Sequence, residues 1–131
     1  MILVDTTVWI DFFRDKETSH VAYLEFLLKN HEDVCLCGVI LTEILQGIRD
    51  EKEYHETFQL LRSLIFIEMD FDTFLLSADI YRKLKAKGVT IRKSIDCMIA
   101  AVAIENKLKL LQNDRDFGPI ARYCGLEIVQ N

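Results

Sequence analysis

The N-terminal segment places a short apolar run directly before a carboxylate. Ile2–Val4 is followed by Asp5 and then by Thr6 and Thr7. An apolar run that stops this abruptly predicts a buried strand, with Asp5 at its carboxyl end. A hydroxyl side chain at Thr6 or Thr7 would cap a helix that begins near Val8. Ligands bind at the carboxyl ends of strands in open α/β sheets, so Asp5 is the first candidate site residue.

Strand and helix patterns alternate along the rest of the chain. The predicted strands are Ile2–Val4, Val34–Cys37, Ile65–Met69, Leu108–Gln112 and Leu126–Val129. The predicted helices cover residues 8–14, 20–30, 39–49, 51–64, 95–106 and 116–124, and a further long helix ends near Lys87. This order predicts an α/β fold, with a mainly parallel central sheet of about four to five strands flanked by helices.

Side chains with a hydroxyl or a carboxylate mark the predicted helix starts. Ser19 and Ser94 each precede a helix as its N-cap, and Asp70 or Asp72 caps the long helix that Gly88 ends. The helix after Ser94 is apolar on every face, which predicts that it is buried on all sides.

The first helix is amphipathic. Trp9 and Phe13 fall on one face at helical spacing, which predicts a core or subunit contact rather than a platform for base stacking. Trp9, Phe12 and Phe13 are also candidates for an apolar contact with a second subunit or another partner protein. Asp11 and Asp15 lie on the polar face, and we expect both to be solvated.

The composition favours a single folded domain. The chain has 131 residues, half of them hydrophobic, and one proline, so we expect one domain over residues 1–131. No apolar run is long enough for a transmembrane helix and no signal peptide is recognisable, which predicts a cytoplasmic protein. The cysteines form no C-x-x-C pair, and we expect them to be reduced core residues: Cys35, Cys37, Cys97 and Cys124.

The formal net charge of −5 argues, taken alone, against a nucleic-acid-binding protein. Five acids that we assign below to one site account for this charge. The remainder of the chain is balanced, so charge does not exclude an RNA substrate.

Asp96 poses an electrostatic problem. It lies in the first turn of the helix that is apolar on every face. The helix dipole favours an anion there by about 0.3–1 kcal/mol, whereas burying a carboxylate costs several kcal/mol. A cation or a hydrogen-bond network must therefore compensate the charge.

Three more acids occupy similar junctions. Asp114 follows a predicted buried strand, Asp116 begins the next helix, and Glu43 lies beside the apolar stripe of a helix. Each alone is explained by a helix cap or a solvated charge, but all of them at such positions together predict a shared site. Clustered carboxylates repel one another without a cation, and oxygen ligands suit Mg²⁺ or Mn²⁺. Such a site can cleave phosphodiesters without a His or Ser nucleophile.

Four segments that carry these acids occur in order along the chain: Val4–Asp11, Leu41–Gly47, Ser94–Ala101 and Leu111–Phe117. They resemble the motifs of PIN-domain nucleases, specifically the VapC-type toxins of bacterial and archaeal toxin–antitoxin pairs. The resemblance covers essentially the full length of the chain. It implies a PIN-like fold and an endoribonuclease activity that depends on Mg²⁺ or Mn²⁺.

The resemblance also implies roles for particular residues. The surest site acids and metal ligands are Asp5, Glu43 and Asp96, and Asp114 and Asp116 complete the set. Thr7 stands where the family often has Ser, Thr or Asn, and it is expected to hydrogen-bond within the site. The family commonly forms homodimers and is neutralised by a small antitoxin, so both partners are expected here.

Several alternatives remain open at this point. Asp5 could act as the nucleophile of a phosphoryl-transfer protein, although haloacid-dehalogenase types need a second acid where this chain has Thr7. The fold could also serve as a non-catalytic nucleic-acid- or partner-binding module. The cations Lys87, Arg92 and Lys93 precede Asp96, and they either form a solvated face or contact the RNA backbone beside the site.

Overall fold

The computed structural model describes residues 1–131 and contains four strands and seven helices. The strands are β1 (Ile2–Val4), β2 (Val34–Cys37), β3 (Ile65–Ile67) and β4 (Lys109–Leu111). The helices are α1 (Thr6–Phe13), α2 (Ser19–Lys29), α3 (Gly38–Gln46), α4 (Glu51–Arg62), α5 (Phe71–Ala86), α6 (Ser94–Glu105) and α7 (Phe117–Cys124). The predicted α/β class is confirmed.

The sheet has the order β3-β2-β1-β4, and every pairing in it is parallel. The chain builds outward from β1 through β2 to β3 and then returns to add β4 on the other side of β1. Val4 therefore pairs with Leu111, and the residues that follow these two strands emerge side by side. Such a reversal of strand order opens a crevice at the carboxyl edge of the sheet, where ligands bind in α/β folds.

The prediction of a fifth strand was wrong. Leu126–Val129 contributes only an isolated parallel bridge between Ile128 and Leu110, so the sheet has four strands. β3 is also shorter than predicted, because it ends at Ile67 instead of Met69.

The buried core lies on both sides of β1 and β4. Residues 99–103 of α6 are fully buried, as the apolar pattern predicted, and three of these five residues are alanines. Trp9 has no exposed surface, which confirms it as a core residue and excludes it from a surface contact. All four cysteines are free; Cys124 is half-buried and the other three are buried.

Helix caps differ from prediction at three places, by one or two residues. Asp5 itself caps α1 by accepting a hydrogen bond from the Thr7 N–H, so neither threonine is the cap. Thr18 instead of Ser19 caps α2, and Lys93 instead of Ser94 occupies the N-cap position of α6.

The start and end of α5 follow the prediction. The Asp70 side chain accepts from the Thr73 N–H and forms a capping box, which selects it over Asp72. Gly88 has a φ of +78°, and its N–H donates to the Lys85 carbonyl while the Val89 N–H donates to that of Leu84. This left-handed terminus ends the helix and turns the chain toward the segment that carries Arg92 and Lys93. None of the helices combines the length and apolar character required to span a membrane.

Candidate metal centre

Asp5 lies at the carboxyl end of β1 with only 2% of its surface exposed. Its Oδ2 accepts hydrogen bonds from the Thr7 hydroxyl at 2.6 Å and from the Thr7 N–H at 3.2 Å. Burial raises the pKa of Asp5 above its usual value, and the nearby charge of Glu43 adds to this, while the bonds from Thr7 oppose it. Thr7 therefore hydrogen-bonds within the site, where the resemblance placed it.

Asp96 lies in the first turn of α6 and is 3% exposed. Its Oδ2 is buried and has no hydrogen-bond partner. The closest cation is the Lys93 ammonium, 3.9 Å from that oxygen. Burial raises the pKa of Asp96 to about 7; Lys93 opposes the shift, and the charges of Asp5, Asp114 and Asp116 reinforce it. The protein therefore compensates the charge of Asp96 only in part, through Lys93.

Asp114 and Asp116 project from the segment between β4 and α7. Asp96, Asp114 and Asp116 each have one carboxylate oxygen that lies within 4.8 Å of an oxygen of the other two. The Asp116 N–H donates to Asp114 Oδ1 at 2.9 Å, which folds this short segment around the cluster. The α7 N-cap position belongs to Asp116, but its side chain makes no cap hydrogen bond and is therefore available to the cluster.

Two cations of the segment before α6 contact these outer carboxylates. The Lys93 ammonium lies 3.0 Å from Asp114 Oδ2. The Arg92 guanidinium contacts Asp116 Oδ2 through Nε at 3.0 Å and a terminal nitrogen at 2.9 Å. Burial raises the pKa of Asp114, but the Asp116 N–H and the Lys93 ammonium outweigh it, so that pKa lies below its usual value.

Glu43 reaches the site from the middle of α3. Its Oε1 accepts a hydrogen bond from the Thr6 hydroxyl at 2.7 Å, which ties α3 to the first turn of α1. Its charge contributes to the raised pKa of Asp5, so the two carboxylates are close enough to interact. Lys87, by contrast, does not contact an acid; its ammonium lies over the Tyr123 ring, 5.7 Å from the centroid.

Sequence reasoning missed three residues around these acids. Thr6 was considered only as a helix cap, and Asn113 was not singled out. Asp11 was predicted to be solvated, but it is 9% exposed and its Oδ2 accepts from the Asn113 side-chain amide at 3.0 Å. The prediction for Asp11 was wrong because its partner lies far away in the sequence. The only local signal was the spacing of Asp11 from Thr7, four residues along α1.

The arrangement of the acids fits a divalent cation. A buried carboxylate oxygen without a partner, at Asp96, lies among several other carboxylates. Burying unpaired anions is costly, and their mutual repulsion adds to this cost. A donor set made only of oxygen atoms is suited to Mg²⁺ or Mn²⁺.

Comparisons with known proteins show the family to which this chain belongs. The family model for the PIN domain matches residues 2–123. This chain therefore belongs to the PIN domain family. Within that family it is similar to VapC ribonuclease Mb1587 of Mycobacterium bovis and to ribonuclease VapC11 of Mycobacterium tuberculosis. It is 34% identical to each over 131 residues, which cover 97% of this chain and 96% of each relative.

Solved structures share the fold at lower sequence identity. VapBC2 from Rickettsia felis, solved bound to a DNA fragment from its promoter, aligns with a TM-score of 0.77 and 21% identity over 98% of each chain. FitAcB from Neisseria gonorrhoeae aligns with a TM-score of 0.73 and 23% identity, covering 99% of this chain and 97% of that one. These likenesses show the fold.

Proposed function

We propose that this protein is a metal-dependent endoribonuclease that acts as the toxin of a toxin–antitoxin pair. The observation that carries the proposal is the buried, unpartnered Asp96 carboxylate among the other acids at the carboxyl edge of the sheet. The similarity to VapC ribonucleases over nearly the whole chain supports RNA as the substrate.

The acids divide into ligands and a supporting residue. Asp5, Glu43, Asp96 and Asp116 hold Mg²⁺ or Mn²⁺ directly or through water. Both Asp114 oxygens are already engaged, Oδ1 by the Asp116 N–H and Oδ2 by Lys93, which supports a role in shaping the site. Asp116 keeps Oδ1 available because Arg92 contacts only Oδ2.

A divalent ion held by these acids would supply Lewis-acid chemistry for the hydrolysis of a phosphodiester by water. The protein contributes positioning of the reacting groups. Thr7 fixes Asp5 through two hydrogen bonds, and Thr6 fixes Glu43 through one. The expected products carry a 5′-phosphate and a 3′-hydroxyl.

Cations beside the acids are suited to RNA binding. Side chains of Arg92 and Lys93 are 59% and 50% exposed while their charged ends reach the cluster. They can contact a phosphate that approaches the metal, and Lys87 would extend this surface along the backbone.

Two protein partners follow from the same proposal. A groove of about 140 Å³ includes Glu43 in its lining and would take a segment of a small antitoxin. Its apolar side is formed by Ile10, Phe13, Ile44 and Ile48, and its charged side includes Arg14 and Glu53. An exposed apolar surface on β3 and α5 would serve a homodimer, and it includes Phe66, Phe71, Phe74 and Leu75.

Phosphoryl transfer through Asp5 is less favoured. Its carboxylate is almost fully buried, and Thr7 occupies one of its oxygens with two hydrogen bonds. A nucleophile needs access to the phosphorus atom, which this setting restricts. A trapped aspartyl-phosphate would nevertheless revive that function.

Cleavage of total RNA tests the proposal. Purified wild-type protein with Mn²⁺ or Mg²⁺ is expected to generate new 5′-phosphate ends, and EDTA is expected to abolish them. Asp96→Asn should be inactive, whereas Asp33→Asn, an exposed acid at the opposite edge of the sheet, should be fully active. Cleavage that persists in Asp96→Asn would contradict the mechanism, and RNA binding without cleavage by wild type would favour a non-catalytic module.

A further inference from the structure

A chain of hydrogen bonds links Asp11 to the candidate metal centre. The Asn113 side-chain amide donates to Asp11 Oδ2 at 3.0 Å, and the Asn113 backbone N–H donates to the Thr7 hydroxyl at 3.2 Å. Thr7 and Asp11 lie four residues apart on one face of α1, so a single residue reaches both. Thr7 in turn donates to Asp5. Asp11 is thereby connected through Asn113 and Thr7 to Asp5.

The burial of Asp11 is not explained by an ion pair. Its other oxygen lies 3.5 Å from the Lys16 ammonium, but the Lys16 side chain is 55% exposed, and exposed pairs of this kind contribute little. Its one side-chain hydrogen bond comes from Asn113. Burying a carboxylate is costly, so the contact that Asp11 makes with Asn113 is expected to have a structural consequence.

Asn113 attaches the segment 112–116 to α1. It directly precedes Asp114, and both hydrogen bonds from this segment to α1 pass through it. Within the segment, the Asp114 N–H donates to the Gln112 side chain and the Asp116 N–H donates to Asp114. The segment is therefore folded on itself and is fastened to α1 at one residue.

We propose that Asp11 and Asn113 are positioning residues that fix segment 112–116, and with it Asp114 and Asp116, in register with Asp5. This inference rests on the proposed function and deepens it. Residues that orient metal ligands typically affect metal affinity or activity by 10–100-fold when they are changed.

Metal affinity and kinetics give the first test. Asp11→Ala and Asn113→Ala each remove the same hydrogen bond, and each should weaken Mn²⁺ binding, measured by calorimetry at pH 8, by roughly 10-fold. The double variant should be no worse than either single variant, because one interaction has been lost. In RNA cleavage, kcat should fall with KM unchanged. Asp11→Asn keeps an oxygen acceptor and should restore both properties, whereas a purely structural role would change the melting temperature without this pattern.

Amide hydrogen exchange of the metal-free protein gives a second test that does not depend on catalysis. Residues 112–116 should exchange several-fold faster in Asp11→Ala than in wild type, and the control Glu17→Ala, an exposed acid after α1, should leave them unchanged. Unchanged exchange in Asp11→Ala would overturn the inference. If exchange is faster in Asp11→Ala but the wild-type protein neither binds Mn²⁺ nor cleaves RNA, the attachment is supported and the proposed function is rejected. If Asp11→Ala fails to fold, the exposed Asn113→Ala, which keeps the backbone bond to Thr7, decides the outcome by the same measurements.

Discussion

Four of the five acids of the centre fall into two pairs with opposite electrostatic environments; the fifth, Glu43, is hydrogen-bonded to Thr6. The inner acids, Asp5 and Asp96, are almost fully buried, and both have a raised pKa. The outer acids, Asp114 and Asp116, are each contacted by a cation of the same protein, Lys93 and Arg92 respectively. The protein thus compensates the outer pair itself and leaves the inner pair without a full counter-charge.

This difference indicates where an added cation contributes most. Lys93 is 3.9 Å from Asp96, too far for a hydrogen bond, while it lies 3.0 Å from Asp114. An ion held by Asp5 and Asp96 would compensate the negative charge of these two buried carboxylates. The outer pair with its two cations would then form the rim that an RNA phosphate meets.

Neutralising the inner acids should have the largest effect. Asp5→Asn and Asp96→Asn are each expected to lower RNA cleavage at least about 100-fold. Changing a residue that only orients a metal ligand typically lowers activity by at most about 100-fold, and a proposed ligand should have a larger effect. Asp114→Asn should lower it less, because both of its oxygens are engaged by the protein. Initial rates with a defined RNA and Mn²⁺ measure the three variants side by side. A larger loss in Asp114→Asn than in Asp96→Asn would break the distinction between the pairs.

A rim variant that lacks the two rim cations and also Lys87 should bind RNA more weakly, by an amount that depends on the salt concentration. Changing Lys87, Arg92 and Lys93 together to Ala removes three proposed phosphate contacts, so the slope of log affinity against log salt should fall by about 2. Binding is measured in an Asp96→Asn background, which keeps the RNA intact.

A matched triple variant far from the centre separates local contacts from net charge. It changes three exposed cations near the amino ends of the strands to Ala: Lys29, Arg62 and Lys109. The salt slope of this control should stay closer to that of the background protein. An unchanged slope in the rim variant would mean that these cations form only a solvated face.

The raised pKa of Asp96 predicts how stability depends on pH in the metal-free protein. The folded state holds this proton up to about pH 7, whereas an ordinary aspartate releases it near 3.8. Between these values the folded state binds more protons, so the contribution of Asp96 to stability falls as pH rises and levels off above about 7. The free energy of unfolding in EDTA, wild type minus Asp96→Asn, should fall by a few kcal/mol from pH 4 to 8. A difference that stays flat or rises with pH would contradict the buried, uncompensated state of Asp96.

The hydrogen bond from Thr6 to Glu43 should have the smallest effect. Thr6→Val removes the hydroxyl but keeps the shape, and a bond worth about 1 kcal/mol corresponds to roughly 5-fold in rate. Thr6→Ser keeps the donor and should retain most of the activity. Equal losses in the Val and Ser variants would assign the effect to packing instead of to Glu43.

The sequence predicted the interior of the sheet better than its edges. β1 and β2 match the predicted bounds, and β2 is buried along its whole length, so its apolar run ends sharply. β3 is an edge strand with Phe66 half exposed, and its apolar pattern continues past the last paired residue. An edge strand is paired on one side only, so its apolar pattern need not end at the last hydrogen-bonded residue.

Helix caps were displaced for a local reason. Thr18 and Ser19 both carry a hydroxyl that can accept a backbone N–H, so composition does not select between them. At Asp5 the carboxylate serves as cap and site acid together, a combination that a capping rule based on Thr6 or Thr7 overlooks.

The candidate acids could be recognised from their positions: Asp5 and Asp114 follow strands, Asp116 precedes a helix, and Glu43 and Asp96 lie on apolar helices. The residues that position these acids through hydrogen bonds could not be recognised from the sequence in the same way. Asp11 and Asn113 are 102 positions apart, and only the parallel pairing of β1 with β4 brings them together. Local periodicity therefore assigned Asp11 to the solvent.

Calorimetric titration with Mn²⁺ at pH 8 tests most directly whether the inner acids require an added cation. Wild-type protein is expected to bind Mn²⁺, and Asp96→Asn, which keeps the shape of the side chain and removes its charge, should bind it at least about 10-fold more weakly. Equal affinity in the two proteins, or no binding by wild type, would contradict the assignment of the inner acids as metal ligands.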